Sequence, residues 1–441
     1  MVDMEQTGIA EVLVRTDRGL ARAAARSCRY VQVQLRAARV EPRAERAPVQ
    51  VAFALDRSGS MRGAKIELAR RAVLEALGRL GQRDRFAITT FDSEVAVVMP
   101  ASWARPAELA QARVKLSEVE PRGNTALHGG WRKACEEIKA CTFALPEDAP
   151  VKPNYRPITR CLLITDGQAN AGPSDPGTLA QEAAEQRRSG VVTSALGIGE
   201  DFNEELLSAM ARAGGGQFVY VANAAELAEV LQREVGDALE VAAPEVVVEV
   251  WPSPGVRLEL LNDFPAEWTG THLRVPVGDL TSEQLLDLSL QVVLPTGAPD
   301  SEASVEVRLS DADGPLELPV HVVSWTLAEH DANDRQPRDM AVLRQVAEVM
   351  VARARLDVVR LNRRGDFDRV RAKLDELLVR LRHLGPDDPR LCELAAEVER
   401  DRDRLSRWSD ERSLKELHMT GTSVSRSRDA YGRSRKSSTI N

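Results

Sequence analysis

Three short segments carry the residues best suited to chemistry. Asp56-Arg57-Ser58-Gly59-Ser60 follows the apolar run VQVAFAL (49–55), and Thr165-Asp166-Gly167 closes the run RCLLIT (160–165). Gly123-Asn124-Thr125-Ala126 lies between them, at the start of a helical pattern. Together they supply two carboxylates, Asp56 and Asp166, and three hydroxyls, Ser58, Ser60 and Thr125. Every donor is oxygen, which suits a hard divalent cation such as Mg²⁺ or Mn²⁺. Mg²⁺ takes about six oxygens at roughly 2.1 Å and usually keeps some waters. Ser58 and Ser60 stand two apart in a turn, so both hydroxyls can face a cation beside Asp56. Thr125 can add a fourth oxygen. Asp166 either ligates directly or accepts hydrogen bonds from bound waters. Such a set leaves the metal electrophilic, with a position open to an outside oxygen.

These segments need elements that bring them together. Apolar strands at 49–55, 85–91, 94–99, 160–165, 191–197 and 217–221 alternate with helical patterns at about 64–80, 106–117, 126–143, 176–189, 203–213 and 224–239. Ile66, Ala69, Val73 and Leu77 keep helical spacing on the first helix. Alternation of this kind marks a doubly wound, Rossmann-like α/β sheet. Asp92-Ser93 joins the second and third strands as an antiparallel hairpin. In an open α/β sheet, ligand sites lie beyond the carboxyl ends of the strands, near the switch in strand order. The three segments therefore converge on one edge.

The remaining chain divides by pattern. Residues 8–42 read as two strands and a connector, with VQVQL (31–35) alternating at period two. EPRAERAP (41–48) reads as a linker, and the proline-rich stretch 145–157 as a surface insertion. Residues 244–326 hold period-two strands separated by Pro, Gly and Asp, the pattern of a β-sandwich. The two N-terminal strands have no local partners, so they complete that sandwich, with the α/β domain (48–240) inserted between its halves. Residues 337–418 form three patterned helices, punctuated by Gly365 and Gly385-Pro386, and read as a helical bundle. Residues 419–441 hold nine Ser or Thr and a formal charge of +4, and read as a basic tail.

Composition narrows the function. The chain has 441 residues, 43% of them hydrophobic, with a formal net charge of −8. Such a charge argues against bulk nucleic-acid binding, and 4% aromatics is poor for base stacking. Of the 59 basic residues eight are Lys, so Arg dominates, which is read as coding bias. Five cysteines without CxxC spacing suggest neither a disulfide framework nor a zinc site. No leader pattern opens the sequence and no run is long enough for a membrane span, so a cytoplasmic protein is expected.

Combined, D-x-S-x-S after the first strand, the Thr of a G-N-T-A loop and T-D-G after a later strand resemble the von Willebrand factor A (VWA) domain and its metal-ion-dependent adhesion site (MIDAS). The resemblance covers about residues 48–240 and includes all five expected positions. It implies that Asp56, Ser58, Ser60 and Thr125 coordinate Mg²⁺ (or Mn²⁺) and that Asp166 acts largely through water. It further implies that an Asp or Glu of a protein partner completes the shell, so the domain binds proteins and is not an enzyme. The wider layout resembles intracellular bacterial members of the family, adaptors or scaffolds that work with MoxR-type AAA+ ATPases or with Ser/Thr kinases and phosphatases.

Two other readings compete. A phosphohydrolase using Asp56 would want a second Asp where Ser58 stands. A kinase substrate would be switched by phosphorylation of the tail, where RSRKSST places Arg before several hydroxyls. Among nearby residues, Arg57 is expected to be solvated and Asp92 to serve the hairpin turn. Asn124 is expected to hydrogen-bond within its loop, and Gly214-Gly215-Gly216 to form a turn rather than a phosphate loop.

Overall fold

The computed structural model describes residues 7–40, 46–140, 157–311 and 314–436. Most of the expected linker at 41–48, nearly all of the insertion at 145–157, Cys141 and the end of the tail lie outside the described residues. The chain forms two compact units, residues 40–241 and residues 1–39 with 242–441. The α/β domain is thus inserted in the β-sandwich, as the strand pattern implies.

Three strands precede the α/β unit: β1 (Ile9–Thr16), β2 (Leu20–Arg22) and β3 (Ser27–Ala37). The α/β unit then runs β4 (Val49–Asp56), α1 (Ala64–Leu77), β5 (Arg85–Phe91), β6 (Val95–Trp103), α2 (Pro106–Ser117) and α3 (Leu127–Lys139). It continues with β7 (Ile158–Thr165), α4 (Pro176–Arg188), β8 (Val191–Ile198), α5 (Glu204–Ala213), β9 (Gly215–Val221) and α6 (Leu227–Leu239). Its six strands lie in the order β6-β5-β4-β7-β8-β9, parallel except for the β5–β6 hairpin. Every residue of β4 and β8 is buried, as expected of strands with helices over both faces. From β4 the chain first winds toward β5 and later returns on the other side through β7. That reversal sets the carboxyl ends of β4 and β7 side by side at the switch point.

After the α/β unit come β10 (Val241–Pro252), β11 (Arg257–Leu260), β12 (Glu267–Trp268), β13 (Leu273–Thr281), β14 (Leu285–Leu294), β15 (Glu302–Asp311), β16 (Gly314–Pro315) and β17 (His321–Ala328). Two sheets result, β1-β3-β14-β11 and β12-β13-β10-β15-β17-β2, and their inner faces share one apolar core. The connector expected between the N-terminal strands contributes β2, which pairs in parallel with β17. Strand β13 is an addition to the sequence reading. Pro276, Gly278 and Asp279 resemble a turn there, yet buried and half-buried residues alternate from Leu273 to Val277 before the pattern slips at Gly278.

The helical region contains α7 (His330–Arg335), α8 (Met340–Arg363), α9 (Phe367–Leu384), α10 (Pro389–Leu405) and α11 (Glu411–Ser425). Asp339, Asp366, Asp388 and Asp410 cap the four long helices, each side chain accepting from a first-turn amide. Arginine forks join the helices: Arg344 meets Asp388 at 2.7 Å, and Arg355 meets Glu397 at 3.0 Å and Asp401 at 2.9 Å.

The expected tail is corrected here. Residues 419–425 are the last turns of α11, and residues up to 436 lie along the sandwich. Hydrogen bonding rather than apolar burial holds this segment. The Asp287 N–H donates to Ser427 Oγ at 2.7 Å, and the Leu285 N–H donates to the Arg435 carbonyl at 2.7 Å. Arg435 also approaches Glu348 of α8 at 3.3 Å. Ser427 is fully buried. Ser427→Ala leaves the Asp287 amide without its acceptor and is expected to destabilise the protein by about 1–3 kcal/mol, measurable by urea unfolding.

Candidate metal centre

Asp56 ends β4 and is fully buried. Its Oδ1 accepts the Ser58 N–H at 2.7 Å, and its Oδ2 accepts the Thr165 hydroxyl at 2.5 Å. The first bond curls residues 57–60 back over the strand end, and the second ties β4 to β7. Burial pushes the Asp56 carboxyl up to about 6, although the bonds from Thr165 and Ser58 pull the other way. The Asp166 charge adds to the upward shift.

The turn after β4 is fixed from both sides. The Arg57 N–H donates to the Phe91 carbonyl at 2.9 Å, the Gly59 N–H to the Gly123 carbonyl at 3.1 Å, and the Arg122 N–H to the Arg57 carbonyl at 2.8 Å. Gly123 has φ +65°, and a Cβ there would stand 2.7 Å from Ser93 Oγ, so glycine is required on both counts. Thr125 is held by its backbone: its N–H donates to Asn170 Oδ1 at 2.7 Å.

The hydroxyls and the second carboxylate meet at the end of β7. Ser60 Oγ donates to Asp166 Oδ1 at 2.6 Å, and Ser58 Oγ lies 3.0 Å from Ser60 Oγ. Lys65 Nζ donates to Asp166 Oδ2 at 2.5 Å.

Gly167 locates the focus of the site. A Cβ placed on it would lie 3.3 Å from Thr125 Oγ1, 3.5 Å from Ser60 Oγ and 4.0 Å from Ser58 Oγ. Three hydroxyl oxygens from two separate segments thus ring one small space that a side chain would fill, beside two buried carboxylates. The cradle and its donor chemistry fit a hard divalent cation. Among the described residues, no group of three or more His, Cys, Asp or Glu is arranged to hold a metal.

All five sequence-predicted residues therefore gather at one strand edge. Arg57, expected to be solvated, instead has its side chain 13% exposed, with Nε 2.7 Å from Asp92 Oδ2. Asp92 does serve the hairpin, accepting the Glu94 N–H at 2.7 Å, and also receives Arg122 at 2.9 Å. The Asn124 N–H donates to Ser93 Oγ at 2.9 Å. Sequence reasoning missed Lys65, Asn170 and Arg122. Lys65 did leave a signal: it is a cation in the first turn of α1, where the helix dipole disfavours positive charge.

Helix α3 carries the Thr125 loop against β5 by close approach at Gly130, where a Cβ would lie 2.2 Å from Phe91 Cδ1 and 2.6 Å from Phe91 Cβ. Gly130→Ala is expected to cost about 1–3 kcal/mol by forcing the helix away from β5. Differential scanning calorimetry reads this as a lowered melting temperature.

Comparison with known proteins identifies the α/β unit. Residues 50–233 match the model of the von Willebrand factor type A domain, and that part of the chain belongs to this family. Domains of the family are commonly metal-dependent protein-interaction modules. The chain is 27% identical over 303 residues to the Synechocystis protein sll0103, covering 64% of this chain and 67% of that one. It is 28% identical over 249 residues to inter-alpha-trypsin inhibitor heavy chain H4 of Sus scrofa, covering 56% of this chain but only 26% of the heavy chain. The fold is shared with a von Willebrand factor type A protein from Catenulispora acidiphila, at TM-score 0.69 and 19% identity, covering 94% of this chain and 97% of the other. It is also shared with the ArnB paralog VWA2 from Sulfolobus acidocaldarius, at TM-score 0.59 and 16% identity over 94% and 99% of the two chains. No helix among the described residues is long and apolar enough to cross a membrane.

Proposed function

We propose that this chain is a non-enzymatic, divalent-metal-dependent protein-interaction module. In this reading Asp56, Ser58, Ser60 and Thr125 hold Mg²⁺ or Mn²⁺, and Asp166 holds waters around it. The observation that carries the reading is the ring of three hydroxyl oxygens off Gly167, beside two buried carboxylates. Neutral hydroxyls leave a bound cation with positive charge to spare, which an Asp or Glu of a partner protein neutralises. The chain's own residues supply fixed donors and a rigid strand edge. The metal, when bound, supplies the electrophilic position that the partner's carboxylate fills.

A bacterial, cytoplasmic adaptor working with a MoxR-type AAA+ ATPase or a Ser/Thr kinase remains part of the proposal, supported by the layout of inserted domain, sandwich and helices. Affinity purification in Mg²⁺ with the wild type and with Asp56→Ala tests the function. A partner retained by the wild type and lost from both the variant and an EDTA wash is the expected result. The same partner retained in all three samples would refute metal-dependent binding.

A further inference from the structure

We propose that Lys65 sets the charge of the metal centre, weakening metal binding while strengthening capture of an acidic ligand. This inference rests on the metal reading above. Lys65 Nζ lies 2.5 Å from Asp166 Oδ2, with the Asp166 side chain fully buried and that of Lys65 33% exposed. The other oxygen of Asp166 is bonded to Ser60, one of the hydroxyls of the cradle. Lys65 therefore touches the donor cluster directly.

The cation is held there against local preference. Lys65 is the second residue of α1, where the helix dipole repels positive charge. The compensating partner is Asp166.

The consequence follows from formal charge. In formal charge, Asp56, Asp166 and Lys65 together leave the empty cluster with one net negative charge, and a divalent cation turns it into one net positive charge. One incoming carboxylate then brings it to neutrality. Without Lys65 the metal-loaded cluster would already be neutral, and a carboxylate would leave it negative. The ammonium thus repels the metal and attracts the ligand that follows. It acts on the ligand through charge and Asp166, as a positioning and specificity-determining residue.

Isothermal titration of Mg²⁺ into the full chain tests the first half, with Lys65→Met, Lys65→Gln and Lys65→Arg beside the wild type. Acetate titrated into the Mn²⁺-loaded proteins, followed by water-proton relaxation, tests the second half. Lys65→Met and Lys65→Gln should each bind Mg²⁺ about tenfold more tightly and need about tenfold more acetate to displace bound water. Lys65→Arg should stay near the wild type. Glutamine keeps a hydrogen bond to Asp166 without the charge, so wild-type behaviour of Lys65→Gln would overturn the proposal. Unchanged or weaker Mg²⁺ binding by Lys65→Met would overturn it too. If the wild type itself takes up no Mg²⁺, or no more than Asp56→Ala does, it is the metal reading that fails.

Discussion

Asp56→Asn is expected to abolish Mg²⁺ binding and yet raise the melting temperature of the metal-free protein near neutral pH. Burial lifts the Asp56 carboxyl from 3.8 to about 6. Between those values the unfolded chain releases the proton while the folded chain keeps it. Stability therefore falls as pH rises through this window and stays lower above about 6, by up to roughly 3 kcal/mol. Asparagine removes the charge but fits the same bonds. Its oxygen can accept from the Ser58 N–H, and its amide can donate to the Thr165 hydroxyl. In EDTA at pH 8 the variant should melt about 5–10 °C higher than the wild type, and at pH 3.5 the two should converge. Calorimetric melting and Mg²⁺ titration read both effects. A variant that kept wild-type Mg²⁺ affinity, or melted lower at pH 8, would contradict this account. On this account the charge of the native carboxylate is costly to the metal-free fold.

Acid should weaken the protein through His418 of α11. The ring is 2% exposed. Burial lowers its pKa from 6.5 to about 3, with the charges of Arg360 and Arg363 on α8 and Lys415 on α11 acting in the same direction. Below pH 6.5 the unfolded chain takes up a proton that the folded chain refuses. Stability is complete above that pH and is lost progressively down to about 3, by roughly 5 kcal/mol in total. His418→Gln should flatten this part of the profile. By pH 4.5 the wild type is expected to have lost about 3 kcal/mol more than the variant, relative to pH 7.5, in denaturant titrations. Parallel losses in both proteins would show that other groups govern acid sensitivity.

The sequence made the α/β unit legible because its central strands are buried on both faces and read as largely apolar runs. β4, all eight residues buried, is the clearest case. The donor residues were legible for a different reason: their spacing is local, and strand ends at a switch point can be located without coordinates. Lys65 and Asn170 could not be found this way. They reach the site by packing across segments, Lys65 toward Asp166 and Asn170 toward Thr125. Strand β13 hid behind Pro276 and Gly278, whose turn chemistry outweighs a weak alternation. The end of α11 and the segment after it hid for a related reason. Their Ser, Thr and Gly residues look solvated by composition, while in the fold Ser425 and Ser427 are fully buried.

The pairing of β3 with β14 has a consequence for how the protein is made. β3 ends at Ala37, and its partner β14 begins only at Leu285. A ribosome adding about 5–20 residues per second exposes β3 on the order of ten seconds or more before that partner emerges. Over the same interval the whole inserted unit, residues 40–241, is completed. It can fold on the nascent chain while β1 and β3 wait as an unfinished sheet with an open edge. The order of synthesis thus favours a finished α/β unit first and a closed sandwich last, and it makes the early strands the point at which a chaperone is most needed.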